Sequence, residues 1–123
     1  MRHIIAGSLI LLCLFVLGAV SAADNPMGIK DSYKVDFSEK VLVAGTLLPK
    51  GTYQISHVME GSDHIMIFRQ LDTRKPVEVR AKCTLVPLGA KATRDEKSYT
   101  LNASNERVLH ELVFKGDSAG HVF

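Results

Sequence analysis

The sequence predicts an all-β protein, a single β-sandwich or open barrel of about seven to eight antiparallel strands, which follows an N-terminal leader. Side chains alternate between apolar and polar in one segment after another beyond residue 23, as strands with one dry and one wet face require. Residues that favour tight turns separate these segments. Residues 24–123 are enough for one domain with a core of its own.

The leader is predicted to be a secretory signal peptide over residues 1–23. A positive start at Arg2 precedes an apolar run over 4–20, and small residues follow. Cleavage after Ala22 or after Ala23 fits equally well. The alternative is a retained anchor, for which the run is short because a membrane-spanning helix needs about 20 residues. We therefore expect a protein exported to the periplasm or beyond the cell, with no membrane segment once the leader is removed.

Segment 77–85 shows the two-residue alternation most clearly. Its odd-numbered residues are apolar and its even-numbered residues are polar, so a strand here has one face toward a core. Cys83 lies on that apolar face and is expected to be a small buried side chain rather than a reactive thiol. It is the only cysteine of residues 24–123, so no disulfide within the domain is expected.

Turn residues connect the earlier strands. Pro and Gly in Leu48–Gly51 fit a type I turn. This turn is expected to join a strand over 41–48, bent at Ala44–Gly45, to a strand over 52–60. A second turn at residues 61–62 begins with Gly, which suits a type II′ hairpin.

The last third of the chain leaves two interpretations open. Residues 104–114 fit a strand or one face of a helix, and their β-branched and aromatic residues favour the strand. A charged loop is expected over 87–97 and a short closing strand over 120–123. His121 lies among the last three residues, where fraying is expected.

The charge balance argues against a nucleic-acid partner. Of the 15 basic residues only Arg2 lies in the leader, which leaves 14 against 13 acidic residues, whereas nucleic-acid binders normally carry a strongly basic face. Residues 69–97 hold 8 basic and 4 acidic side chains. This segment is a candidate for contact with anionic polysaccharide or lipid headgroups, although solvated cations on the outer face of strands are the favoured interpretation.

Two segments resemble a known group of proteins. Val41–Tyr53 (VLVAGTLLPKGTY) combines a strand, a Gly bend and Leu-Pro-x-Gly-Thr-Tyr, and Leu112–Phe114 forms a late apolar strand. Both are similar to small exported β-rich proteins of acidobacteria. The resemblance implies export and an all-β fold. It implies no particular activity and no site residues, because that group has no assigned activity.

A candidate metal site lies at the predicted hairpin tip. If residues 61–62 form the turn, Met59 pairs with His64 and His57 pairs with Met66, so that all four side chains share one face. Two imidazoles and two thioethers suit copper, because sulfur favours Cu(I) and imidazole accepts either oxidation state. The alternative is that the methionines complete the core and the histidines border it.

The sequence predicts a non-enzymatic exported domain. It contains no nucleophile elbow, zinc-protease helix, phosphate loop or dinucleotide fingerprint. The expected role is a binding or structural module for a protein or a cell-surface glycan, without a cofactor. The alternative is a periplasmic copper-binding protein that uses the four hairpin residues.

Overall fold

The computed structural model describes residues 29–123, so the predicted leader and both cleavage positions lie outside the described residues. The described residues form nine strands and no helix, which confirms the predicted all-β class. In this range there is accordingly no helix that is long and apolar enough to cross a bilayer. The strands are β1 (Ser32–Phe37), β2 (Val41–Val43), β3 (Thr46–Leu48), β4 (Gly51–Glu60), β5 (Asp63–Gln70), β6 (Glu78–Pro87), β7 (Glu96–Leu101), β8 (Arg107–Val113) and β9 (Ala119–Val122).

All nine strands belong to one sheet, in the order β1-β4-β5-β6-β9-β8-β2-β3, with β7 also paired to β8. The sheet is mixed rather than wholly antiparallel as expected, because β2 runs parallel to β8 where Leu42 faces Val108. Its end strands β1 and β3 do not pair with each other, so the described sheet is not closed.

The prediction of one strand over 41–48, bent at Ala44–Gly45, is wrong, because the chain reverses there and forms two strands. Both turn residues have left-handed backbone angles, φ +50° for Ala44 and +78° for Gly45. Two consecutive positive angles define a type I′ turn, which reverses the chain into a hairpin. Val41 therefore pairs with Leu48, and the strand count rises to nine.

The hairpin of β4 and β5 has the predicted register. Met59 lies opposite His64, and His57 lies opposite Met66. Gly61 has φ +61°, as the first position of a type II′ turn requires. The turn chemistry therefore fixed which side chains share a face.

The later strands form where the sequence predicts them, but the residues at which they begin and end differ. Residues 107–113 form a strand, so the strand interpretation of 104–114 is confirmed. Residues 119–122 form the expected closing strand. The loop expected over 87–97 is shorter, because β6 continues through Pro87 and β7 begins at Glu96.

One apolar core lies against the inner face of the sheet. The largest of its fully buried apolar side chains are Tyr53, Phe68, Leu48, Ile55, Met66 and Leu112. Cys83 belongs to the same cluster and is 7 % exposed, which confirms its predicted burial. Since side chains of β1, β5 and β8 contribute to this cluster, the open sheet encloses a shared interior.

Candidate metal centre

Three strands bring two histidines and a cysteine together at one end of the core. His57 lies on β4, Cys83 on β6 and His121 on β9. Their ligand atoms all lie within 4.8 Å of one another. Ligands around one tetrahedral or trigonal ion are about 3.5 Å apart, given metal–ligand bonds of about 2.0–2.3 Å. The ligand atoms would therefore have to approach one another by up to about 1.3 Å to complete a metal site. We call these three residues the His–Cys cluster.

His121 is the most enclosed member of the His–Cys cluster, and the expectation that it frays is wrong. Its side chain is 0 % exposed. The reason is the position of β9, which pairs with β6 on one side and β8 on the other, so that His121 faces both Leu85 and Leu112. A terminal segment tied into the middle of a sheet does not behave as a free end.

The surroundings of Cys83 and His121 keep both side chains uncharged. Cys83 Sγ lies 3.9 Å from His121 Nδ1. Burial raises the pKa of the Cys83 thiol to about 11. Burial, followed by the nearby His57 and His64, lowers the pKa of His121 to about 4. A neutral imidazole is the form that binds a metal.

His57 and His64 form a second contact next to the His–Cys cluster. His57 Nε2 lies 3.1 Å from His64 Nδ1, and the two rings are stacked with centroids 5.2 Å apart. Burial and the neighbouring His64 lower the pKa of His57. Since His64 also pairs across the sheet with Cys83, it lies beside the centre as an additional imidazole.

The two predicted methionine ligands lie in different surroundings. Met66 is fully buried and faces His57 across the hairpin, on the inner face of the sheet. Met59 is 51 % exposed and lies near the tip. The strand register brings all four predicted residues to one face. The two methionines differ in burial, because Met66 lies within the core and Met59 lies at its rim.

An open cleft leads from solvent to the centre. It has a volume of about 640 Å³, and its lining includes His64, Cys83 and Val122. The small residual exposure of Cys83 is consistent with this opening. The cleft therefore reaches Cys83, whereas His57 and His121 lie outside its lining.

The far side of His121 faces a buried carboxyl group. Asp117 is 0 % exposed, and its Oδ2 lies 3.7 Å from His121 Nε2. Cys83, His121 and Asp117 thus have the order of a nucleophile, a base and an orienting acid. However, a nucleophilic cysteine needs a lowered thiol pKa, and burial acts on Cys83 in the opposite direction. The approach of His57 as a third ligand favours metal binding instead.

Cys83 and His121 are not among the candidate site residues that the sequence predicts. Placing Cys83 on the inner face was correct, and the pairing of β5 with β6 sets it opposite His64. A signal was available, because an inward cysteine on the strand after a histidine hairpin is a potential ligand. His121 offered no comparable local signal, since its position depends on the pairing of β9 with β6 and β8.

Comparison of the chain with protein-family models, curated proteins and solved structures finds no match.

Proposed function

We propose that this chain is an exported copper-binding β-domain in which His57, Cys83 and His121 hold one copper ion. The observation that carries the proposal is the convergence of these three ligand atoms within 4.8 Å at the end of the core. The predicted signal peptide at residues 1–23 supplies the export. In this proposal the sheet is an open barrel, and its interior meets the cleft beside Cys83.

Copper is favoured over zinc by the composition of the centre. Thiolate and imidazole suit both ions, whereas thioether sulfur selects Cu(I). Met66 supplies a buried thioether on the same face, directly across from His57. Copper also binds nitrogen and sulfur sites more tightly than zinc in the order of divalent metals.

Competition titration of the purified protein, expressed from its full sequence, tests the proposal. Cu(I) is presented with a chromophoric chelator, and Zn(II) is titrated separately. The wild type is expected to bind one equivalent of copper. Cys83→Ser is expected to lose more than about 100-fold in affinity, because loss of a direct ligand costs more than the 10- to 100-fold effect of an outer-shell partner. His110→Gln is the matched control, because His110 is exposed on β8.

Two outcomes contradict the proposal. One is uptake well below one equivalent by the wild type. The other is an affinity of Cys83→Ser equal to that of the wild type. If zinc binds more tightly than Cu(I), the three-residue metal centre stands and the assignment of copper is wrong.

A second candidate function is the binding of an anionic cell-surface glycan. A groove of about 830 Å³ has both basic and acidic residues in its lining, together with the exposed Leu47 and Leu101. The basic residues are Lys40, Lys50 and Arg107, and the acidic ones are Glu39 and Glu106, of which Glu39 pairs with Arg107. Retention on an anionic polysaccharide matrix that weakens with added salt would support it. Passage through the matrix at low salt counts against it.

The cations of the middle segment give this second candidate little support. Arg69 pairs with Glu78, and Lys82 pairs with Asp63, both across neighbouring strands. Arg80 on β6 pairs with Glu60 on β4, across the intervening β5. Acidic neighbours therefore offset much of the positive charge of 69–97, as expected for solvated strand faces.

A further inference from the structure

We propose that Tyr33 and Asp117 form a buried positioning pair that holds His121 with its Nδ1 toward Cys83. This inference rests on the proposed copper centre, because it assigns the outer partners of one of the three ligands. Tyr33 and Asp117 lie 84 positions apart in the chain. Their meeting next to His121 is therefore a product of the fold and not of local sequence.

The geometry is a chain of polar atoms in the protein interior. The Tyr33 hydroxyl donates a hydrogen bond of 2.7 Å to Asp117 Oδ2. The same carboxylate oxygen lies 3.7 Å from His121 Nε2. The backbone N–H of Lys30 donates to the Tyr33 hydroxyl at 2.7 Å, which anchors the outer end of the chain.

Packing fixes the rings of Tyr33 and His121. The Tyr33 ring stacks on Phe114 with centroids 3.9 Å apart. The His121 ring meets the edges of both, at 5.6 Å from each. His121 therefore has little freedom to turn, and its two nitrogens keep distinct surroundings: Nδ1 faces Cys83 and Nε2 faces Asp117.

Two buried atoms of this arrangement have no hydrogen-bond partner within the described residues, namely Asp117 Oδ1 and His121 Nε2. A buried polar group without a partner costs about 1–3 kcal/mol, and such groups are rare unless a function retains them. The separation of 3.7 Å is too long for a hydrogen bond. A movement of about 1 Å would let Nε2–H donate to Asp117.

Metal binding at Nδ1 of His121 would favour the approach of its Nε2–H to Asp117. A histidine that binds a metal through one nitrogen carries its proton on the other, which it commonly donates to a carboxylate. Asp117 is the carboxylate in the right place, and Tyr33 holds it there. The pair thus sets the tautomer of His121 and increases the basicity of its ligand nitrogen.

The test compares Asp117→Asn and Tyr33→Phe with the wild type in the full chain. The measurements are Cu(I) affinity by chelator competition, the Cu(II) electron paramagnetic resonance spectrum, and the ¹⁵N shifts of the His121 ring without metal. Asp117→Asn is expected to lower copper affinity 10- to 100-fold and to change the spectrum. Tyr33→Phe keeps the stacked ring and is expected to show a smaller effect in the same direction.

Tyr53→Phe is the matched control for loss of a buried phenol. The Tyr53 hydroxyl donates to the Pro49 carbonyl at 2.6 Å, away from the His–Cys cluster. It is expected to lower thermal stability and leave copper affinity unchanged. If Asp117→Asn or Tyr33→Phe fails to fold, the other variant decides the result.

The outcomes separate this inference from the proposed function. Copper uptake with wild-type affinity and spectrum in both Asp117→Asn and Tyr33→Phe overturns the positioning role and leaves the centre standing. Absence of uptake by the wild type overturns the centre and the positioning role together. In the metal-free protein, ring shifts that place the His121 proton on Nδ1 also contradict the assignment.

Discussion

Cys83 Sγ lies 3.9 Å from His121 Nδ1, although the two residues are 38 positions apart. The contact exists because β9 inserts between β6 and β8 and carries His121 into the interior. Either residue alone would be an ordinary buried side chain. Together with His57 they bring two imidazole nitrogens and one thiol sulfur within 4.8 Å of one another.

The first prediction concerns the reactivity of Cys83. Cys83 is 7 % exposed and its thiol has a raised pKa, so little thiolate is present at neutral pH. We expect a maleimide to label the native metal-free protein far more slowly than the protein in urea, as followed by mass spectrometry. Equally rapid labelling in both conditions would contradict the inward position of Cys83.

The second prediction concerns stability in acid. Burial lowers the pKa of His121 from 6.5 to about 4, so the unfolded chain takes up a proton that the folded chain does not. The free energy of unfolding of the metal-free protein should therefore fall as pH falls from about 6.5 to about 4, by about 3 kcal/mol from this group alone.

Two neighbouring groups modify that slope. The lowered pKa of His57 acts in the same direction. Burial raises the pKa of Asp117, which favours the folded state at low pH and opposes the loss. Urea unfolding at pH 4.5 and 7 should show a smaller acid loss in His121→Gln than in the wild type or in His110→Gln. Identical losses in all three proteins would refute the assignment to His121.

The third prediction separates the two methionines. Met66→Leu preserves volume in the core, which costs less than about 1.5 kcal/mol in stability, and removes the buried thioether. We expect its Cu(I) affinity to fall about tenfold, which is about 1.4 kcal/mol, with zinc affinity unchanged. Met59→Leu is the control at the exposed rim. Equal Cu(I) affinities of Met66→Leu and the wild type would show that the Met66 thioether does not favour Cu(I) at this centre.

The fourth prediction tests the unexpected hairpin of β2 and β3. Ala44 has φ +50°, an angle that Asn tolerates better than Ala, and Asn-Gly is the preferred type I′ pair. Ala44→Asn should raise the free energy of unfolding by about 1 kcal/mol, because the left-handed conformation costs alanine about 1–2 kcal/mol and Asn adopts it more readily. Ala103→Asn, at an exposed residue without a positive φ, is the control. Destabilisation by Ala44→Asn would argue against this turn.

Local patterns predicted much of the fold. The alternation in 77–85 placed Cys83 correctly on the inner face, and the Gly61 turn set the register of the hairpin of β4 and β5. These features depend on neighbours in the sequence. The hairpin at Ala44–Gly45 was missed because alanine rarely adopts a positive φ.

The candidate site was only half predictable. His57 and His64 meet through a two-residue turn, so their contact follows from register. The positions of Cys83 beside His121 and of Asp117 beside Tyr33 depend on pairings between distant strands. Local periodicity does not reveal which distant strands pair, so the sequence alone predicts a fraying end at His121.

X-ray absorption at the copper edge of the loaded protein tests the central claim most directly. We predict one short thiolate sulfur together with imidazole nitrogen around copper in the wild type, and loss of that short sulfur in Cys83→Ser, with His110→Gln unchanged. Copper surrounded by nitrogen and oxygen alone in the wild type would contradict it.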